Sequence, residues 1–131
     1  MKFKQKAVFS LACSALLTVA STSVFAGAAD GFWAYDKVDD GIANVTELRN
    51  GKIIMYAFDC EDASNEPLDQ EEYDYTVNGK NVEIREDGEV TQTLTIHTLS
   101  ATDLILEQSL PEGKSAQLKY KRVEKLAPVC S

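Results

Sequence analysis

The sequence predicts an all-β domain: an antiparallel up-and-down meander of about eight short strands that closes into a small barrel. Three turn dipeptides support this prediction, namely Asn50-Gly51, Asn78-Gly79 and Asp87-Gly88. Each tolerates the positive φ angles of a two-residue hairpin turn, and each separates segments in which apolar and polar residues alternate. A meander of this kind removes its two edge strands most simply by closing into a barrel.

Residues 1–26 have the pattern of a secretory signal peptide. Three lysines precede an apolar stretch, Ala7 to Ala20, and a small, polar run ends in Val24-Phe25-Ala26. A membrane anchor is the alternative, but roughly 14 apolar residues fall short of the ~20 that a spanning helix needs. We therefore expect cleavage near Ala26, export to the periplasm or the extracellular space, and no stable membrane insertion. Residues 27–131 then form one domain.

The alternation predicts the strands in order. They are Gly31–Tyr35, Ile42–Leu48, Lys52–Phe58, Glu72–Val77, Asn81–Glu86, Glu89–Thr98, Asp103–Gln108 and Ala116–Val123. The third of these is apolar on both faces, which indicates a strand that is covered on both sides. If a helix exists, we expect a single turn near Ala63–Leu68 or in the tail.

Two cysteines, Cys60 and Cys130, remain after the leader is removed. An even count in an oxidising compartment favours a disulfide between them. A free thiol pair and a metal site are the alternatives. A metal is disfavoured because His97 is the single histidine and no cysteine pair has ligand spacing. We expect no metal and no cofactor.

The two ends of the domain carry residues suited to closing the barrel. Trp33, the only tryptophan, lies on the first predicted strand. Arg122 lies on the last, where Leu118, Tyr120 and Arg122 share one face because side chains alternate along a strand. A large indole and an inward-facing guanidinium at opposite termini predict that the first strand pairs with the last. We assign both residues structural roles, with the cation over the ring.

These residues also carry a family resemblance. Gly31-Phe32-Trp33 resembles the Gly-x-Trp of the first strand of lipocalins, and Arg122 resembles the last-strand arginine that packs over that tryptophan. The chain as a whole is similar to small bacterial lipocalin-like, calycin-type domains. The resemblance implies a binding protein built on an eight-stranded barrel. The chain is shorter than full-length lipocalins and lacks their long helix, so a roomy cavity is not expected.

Aromatic residues are the candidates for lining a small apolar cup at the barrel mouth. They are Tyr35, Tyr56, Phe58, Tyr75 and Tyr120. The interior of an eight-stranded barrel is just wide enough to be filled by side chains or to hold one small ligand. This number of aromatic residues favours a filled interior, whereas a cavity above ~300 Å³ would favour a ligand.

An acidic run follows the third predicted strand, with eight acidic residues among residues 59–74. Removal of three leader lysines leaves 10 basic and 21 acidic residues, a formal charge of −11. Such a chain repels nucleic acid. A solvated loop is the default interpretation. A calcium site is a weak alternative, because the run lacks the alternating acids and central glycine of an EF-hand loop; the third possibility is that the loop docks a basic protein partner. Asp62, Glu66, Asp69 and Glu71 are the candidate contacts.

Two functions follow from these features. The first is a non-enzymatic, lipocalin-like binding protein that takes a small apolar ligand or docks a partner through its mouth and acidic loops. The alternative is an inhibitor or immunity protein that blocks a secreted enzyme or toxin. An enzyme is the least supported class, because no nucleophile signature, metal cluster or phosphate loop stands out. His97 is expected to face solvent on a strand.

Overall fold

The structure, a computed structural model, describes residues 27–130. The predicted signal peptide and Ser131 lie outside the described residues. The strands are β1 (Gly31–Tyr35), β2 (Ile42–Arg49), β3 (Lys52–Asp59), β4 (Asp69–Asn78), β5 (Asn81–Glu86), β6 (Glu89–Leu99), β7 (Asp103–Ser109) and β8 (Ser115–Val123). Their bounds lie within three residues of the predicted ones, and all eight predicted strands are present.

Each strand pairs antiparallel with the next, and β1 also pairs with β8, so the sheet is a closed barrel. In the closing ladder Trp33 lies opposite Arg122 and Tyr35 lies opposite Tyr120. The predicted fold class is therefore confirmed. Closure gives every strand two neighbours and leaves no edge strand for intermolecular pairing.

Two of the predicted turns have the expected backbone. Asn50-Gly51 and Asp87-Gly88 each place both residues at positive φ, between 50° and 83°, as a type I′ turn requires. The third turn lies one residue later than predicted. β4 runs through Asn78, and Gly79-Lys80 form the turn, with a φ of 64° at Gly79 alone. Glycine at the first central position suits the type II′ turn, which serves hairpins equally well.

The helical segments also differ from expectation. Residues 63–68 form a turn followed by irregular loop, because Asp62 and Ser64 accept backbone N–H groups two residues ahead and so compete with a helix. A 3₁₀ turn lies instead at Pro111–Gly113, and residues 27–29 form one helical turn.

The barrel wall separates two apolar clusters. The inner cluster includes Trp33 and lies inside the barrel, whereas the outer cluster lies on β1–β3. Its buried members are Ala34, Val45, Ile54, Tyr56 and Phe58. The tail after β8 crosses this outer face and packs Leu126 against it. β3 is thus covered on both sides, as predicted. Within the described residues the tail runs to Cys130, which is disulfide-bonded to Cys60, so that pairing is confirmed.

One end of the barrel is closed by Trp33 and Arg122. The indole is fully buried, and its Nε1 donates to the carbonyl of Ala29 at 2.7 Å. The Arg122 Cζ lies 4.3 Å from the ring centroid. Its guanidinium also donates to the carbonyls of Ala28, Asp30 and Ala101 at 2.6–2.8 Å. Arg122 therefore ties the start of the domain and the β6–β7 loop over the indole.

Gly31 is needed where this guanidinium passes the backbone. Its φ is +136°, and a Cβ there would lie 2.7 Å from Nη1 of Arg122. We expect Gly31→Ala to lower the free energy of unfolding by about 2–3 kcal/mol, from backbone strain and from displacement of an anchored cation. Gly79→Ala is the control, because Gly79 has a φ of +64° but no atom within 4 Å of the added Cβ. It should cost about 1 kcal/mol. If urea unfolding showed equal losses of unfolding free energy for Gly31→Ala and Gly79→Ala, the role assigned to Gly31 would be contradicted.

Candidate ligand-binding site

The two ends of the barrel differ in their loops. Consecutive strands are antiparallel, so the connecting loops alternate between the ends. Loops 36–41, 60–68, 87–88 and 110–114 lie at the end opposite the Trp33–Arg122 closure. Short turns and the helical turn at residues 27–29 lie at the closed end. Any route into the barrel is therefore expected at the end that carries the longer loops.

The barrel encloses an apolar cavity of about 130 Å³. Its polar lining is confined to Thr46, Gln92 and Tyr120. The remaining lining residues are aliphatic or methionine: Leu48, Ile53, Met55, Val82, Ile84, Leu94, Leu104, Leu106 and Leu118. An apolar cavity of about 150 Å³ in another protein stays dry and binds benzene. The volume here therefore suits an apolar group of similar size.

A wider vestibule of about 240 Å³ lies next to the cavity. Thr46, Met55, Leu118 and Tyr120 line both spaces, and Tyr35 and Asn44 complete the vestibule. The shared residues form the throat between the two spaces. Met55 is unbranched and adapts its shape easily, so it is the side chain best suited to let a ligand pass.

The five predicted cup residues fall into two groups. Tyr35 and Tyr120 lie together in the vestibule, with ring centroids 5.4 Å apart and planes tilted by 50°. Tyr75 faces the barrel interior and is buried, but it does not line the cavity. Tyr56 and Phe58 lie in the outer cluster beneath the tail. Two of the largest side chains thus lie on the outer side of the wall, and the interior space of about 130 Å³ stays below the ~300 Å³ that would favour a ligand over a filled interior.

The reason is the side-chain period of β3. Ile53 and Met55 face inward, so Ile54, Tyr56 and Phe58 face outward. Both rows of this strand are apolar, and the sequence of the strand does not distinguish them. The Tyr56 hydroxyl finds its hydrogen-bond partner on the outer surface, where it donates to Oε1 of Glu47 at 2.9 Å.

Two interior tyrosines have strongly raised pKa values. Burial raises the pKa of Tyr120 to about 12; Tyr35 and Asp36 add to this shift, and a hydrogen bond with Thr46 opposes it. Burial also raises the pKa of Tyr75 to about 12, and Asp30 adds to the effect. Both phenols are therefore neutral at physiological pH, and the interior presents hydroxyl groups and no phenolate.

These pKa values predict a loss of stability at alkaline pH. An unfolded tyrosine ionises near pH 10, whereas both folded phenols stay neutral to about pH 12. The stability they contribute is complete below about pH 10 and is lost as the pH rises to about 12. We expect urea midpoints to fall across this window, and to fall less in Tyr75→Phe and Tyr120→Phe. An identical decline in both variants would show that other groups cause it.

The predicted partner contacts lie around the mouth. Asp62, Glu66 and Asp69 are exposed. The loop that carries the first two is linked to loop 36–41 by the Cys60 N–H, which donates to the Gly41 carbonyl at 2.9 Å. Among the described residues, no group of three or more His, Cys, Asp or Glu side chains is placed to hold a metal ion.

Glu71 differs from the other three acids because it lies on the strand rather than in the loop. It is opposite Met55 in the β3–β4 ladder and therefore shares the inward face. It is exposed, and its Oε1 accepts a hydrogen bond from the Tyr73 hydroxyl at 3.2 Å. Glu71 therefore lies on the inward face near the start of β4, at the open end, without lining the vestibule itself.

His97 lies away from the cavity. It is exposed at a register shift in β6, with Nδ1 3.2 Å from the Thr98 hydroxyl. Sequence reasoning missed the lining residues Thr46, Met55 and Leu118, because their inward orientation depends on the choice between two alternating rows. The placement of Leu118 on the same face as Tyr120 was the one available signal.

Comparisons with known proteins add no relative. No family model matches the chain, and searches of curated proteins and of solved structures find no significant match. Within residues 27–130, no helix has the length and apolar character needed to cross a bilayer. The disulfide is consistent with an exported protein.

Proposed function

We propose that this chain is a non-enzymatic, exported, lipocalin-like binding protein that holds a small apolar ligand in its barrel. The observation that carries the proposal is the cavity of about 130 Å³ with an almost entirely apolar lining. The cavity lies below the ~300 Å³ of a drug-sized site, so we assign it a small ligand. The Gly31-Phe32-Trp33 pattern and the Arg122 contact support the lipocalin-like class.

The cavity is suited to binding because its polar groups are few and specific. Thr46 is 8% exposed and Tyr120 carries a phenol that stays neutral, so both offer hydroxyl groups to a polar atom of the ligand. The aliphatic walls contribute by removing apolar ligand surface from water, at about 25 cal/mol per Å². The ligand is therefore expected to place its apolar part in the cavity and its polar part at the throat.

A blocking variant tests the proposal. 1-Hexanol serves as the probe, and its binding is followed by calorimetry and by chemical-shift changes in the interior methyl groups. Leu118→Trp places a larger side chain in the throat, and we expect it to weaken hexanol binding at least about tenfold, or 1.4 kcal/mol. Ile105→Trp is the matched control, because Ile105 lies on the outer face of β7 between the inward Leu104 and Leu106.

Two outcomes of the hexanol experiment would overturn the proposal. Hexanol that fails to shift the interior methyl groups of the unaltered protein, or that binds Leu118→Trp as well as it binds Ile105→Trp, contradicts a ligand site in the barrel. Far-UV circular dichroism of both variants checks that the barrel has formed.

A second candidate function is the inhibitor or immunity protein. The observation that favours it is the exposure of Asp62, Glu66 and Asp69 at one end of the barrel. Such a surface complements a basic protein and steers its approach. Changing these three residues to Asn, Gln and Asn should abolish capture of a basic secreted enzyme, while Leu118→Trp should leave it intact. The reverse pattern would exclude this function.

A further inference from the structure

We infer that the ligand is a small cation: an ammonium group attached to an apolar group of about six carbons. This inference rests on the proposed function, because it names the class of molecule that enters the cavity. It is carried by three features that coincide at the open end: the apolar cavity, the composition of the vestibule, and the distribution of charge along the barrel axis.

Charge is concentrated at the open end. The four loops there contain two basic residues, Lys37 and Lys114. They contain eight acidic residues, which are Asp36, Asp39, Asp40, Glu61, Asp62, Glu66, Asp87 and Glu112. The turns at the closed end, 50–51, 79–80 and 100–102, contain one charged residue, Lys80. The mouth therefore has a negative field that attracts cations and repels carboxylates and phosphates.

The vestibule is lined by groups that accept a cation. Its polar side chains are those of Tyr35, Asn44, Thr46 and Tyr120, and it has no basic lining residue. Oxygen atoms of these residues can accept hydrogen bonds from an ammonium group. The tilted rings of Tyr35 and Tyr120 also present aromatic surface, which attracts cations within about 6 Å of the ring centroid.

Two carboxylates lie on elements that border the vestibule, although neither lines it. Asp36 directly follows Tyr35 in the chain and acts electrostatically on Tyr120. Glu71 shares the inward face with Met55 on the adjacent strand. Lys37 and Lys114 lie in the loops at this end, and Lys119 of β8 lies beside Asp36, but none of the three lines the vestibule. An ammonium group held by the two tyrosines would thus have carboxylates nearby, with its apolar tail directed through the throat into the cavity.

A matched ligand series tests the inference on the full mature chain. n-Hexylamine, 1-hexanol and hexanoate have the same chain length and differ in charge at about pH 7. We expect calorimetry to show hexylammonium binding at least about tenfold more tightly than hexanoate, with hexanol between them. Raising the salt from about 20 mM to about 500 mM should reduce this preference several-fold and leave hexanol unchanged.

Charge-removing variants test whether the acidic residues at the mouth cause the preference for hexylammonium. Asp36→Asn combined with Glu71→Gln should weaken hexylammonium about three- to tenfold and leave hexanol unchanged. Glu124→Gln removes a charge from the exposed start of the tail, outside the mouth, and should change neither ligand. Equal affinities for the three probes, or tightest binding of hexanoate, would overturn the cationic ligand while the apolar site stands. Failure of hexanol itself to bind would overturn the proposed function.

Discussion

Trp33→Ala is expected to lower the free energy of unfolding by about 3–5 kcal/mol, the usual cost of removing a large buried aromatic side chain. Trp33 is fully buried in the inner cluster, so little of the resulting cavity can be filled by solvent. The substitution also removes the 2.7 Å hydrogen bond to Ala29 and the ring beneath Arg122. Urea denaturation of the folded domain measures the loss directly.

Two further variants separate the contributions of the ring and the cation. Trp33→Phe keeps an aromatic face but has no N–H donor, so it should lose less than Trp33→Ala. Arg122→Lys keeps the charge but lacks the planar fork that reaches the carbonyls of Ala28, Asp30 and Ala101. We expect it to be destabilising by about 1–3 kcal/mol. A loss below about 1 kcal/mol for Trp33→Ala would show that the indole does not close the barrel.

Removal of the Cys60–Cys130 disulfide is expected to lower the free energy of unfolding by about as much as Trp33→Ala does. The bond joins residues 70 positions apart. For a loop of this length the chain-entropy model gives about 4 kcal/mol, because the bond restricts the unfolded chain. The double variant Cys60→Ala/Cys130→Ala should therefore melt more than about 10 °C below the unaltered protein.

The same substitution tests how the tail is held. The tail packs Leu126 on the outer cluster, and without the disulfide only such contacts hold it in place. We expect amide protons in residues 124–130 to exchange faster in the double variant. The amide protons of β6 and β7 should keep the same ranking of protection relative to one another as in the unaltered protein. Adding reductant to the unaltered protein should lower its melting temperature and speed amide exchange in residues 124–130 in the same way. An unchanged melting temperature under both conditions would contradict the stabilising role of the disulfide.

Local sequence chemistry determined most of the architecture. Alternation placed all eight strands, and the Asn50-Gly51 and Asp87-Gly88 dipeptides placed two turns, because these features depend on side-chain period and on φ preference within a few residues. The closure of the barrel was predictable from Trp33 and Arg122, since each is suited to only a few environments. The cysteine count was enough to pair Cys60 with Cys130.

Only the tertiary structure decided which side of the wall is inside. β3 has two apolar rows, and the tail covers the outer one, so Tyr56 and Phe58 pack beneath Leu126 while Met55 faces the throat. The cavity, the vestibule and the mouth all depend on that choice. Its physical cause is non-local: burial of one row requires a partner more than sixty residues away in the chain, which no pattern within the strand records.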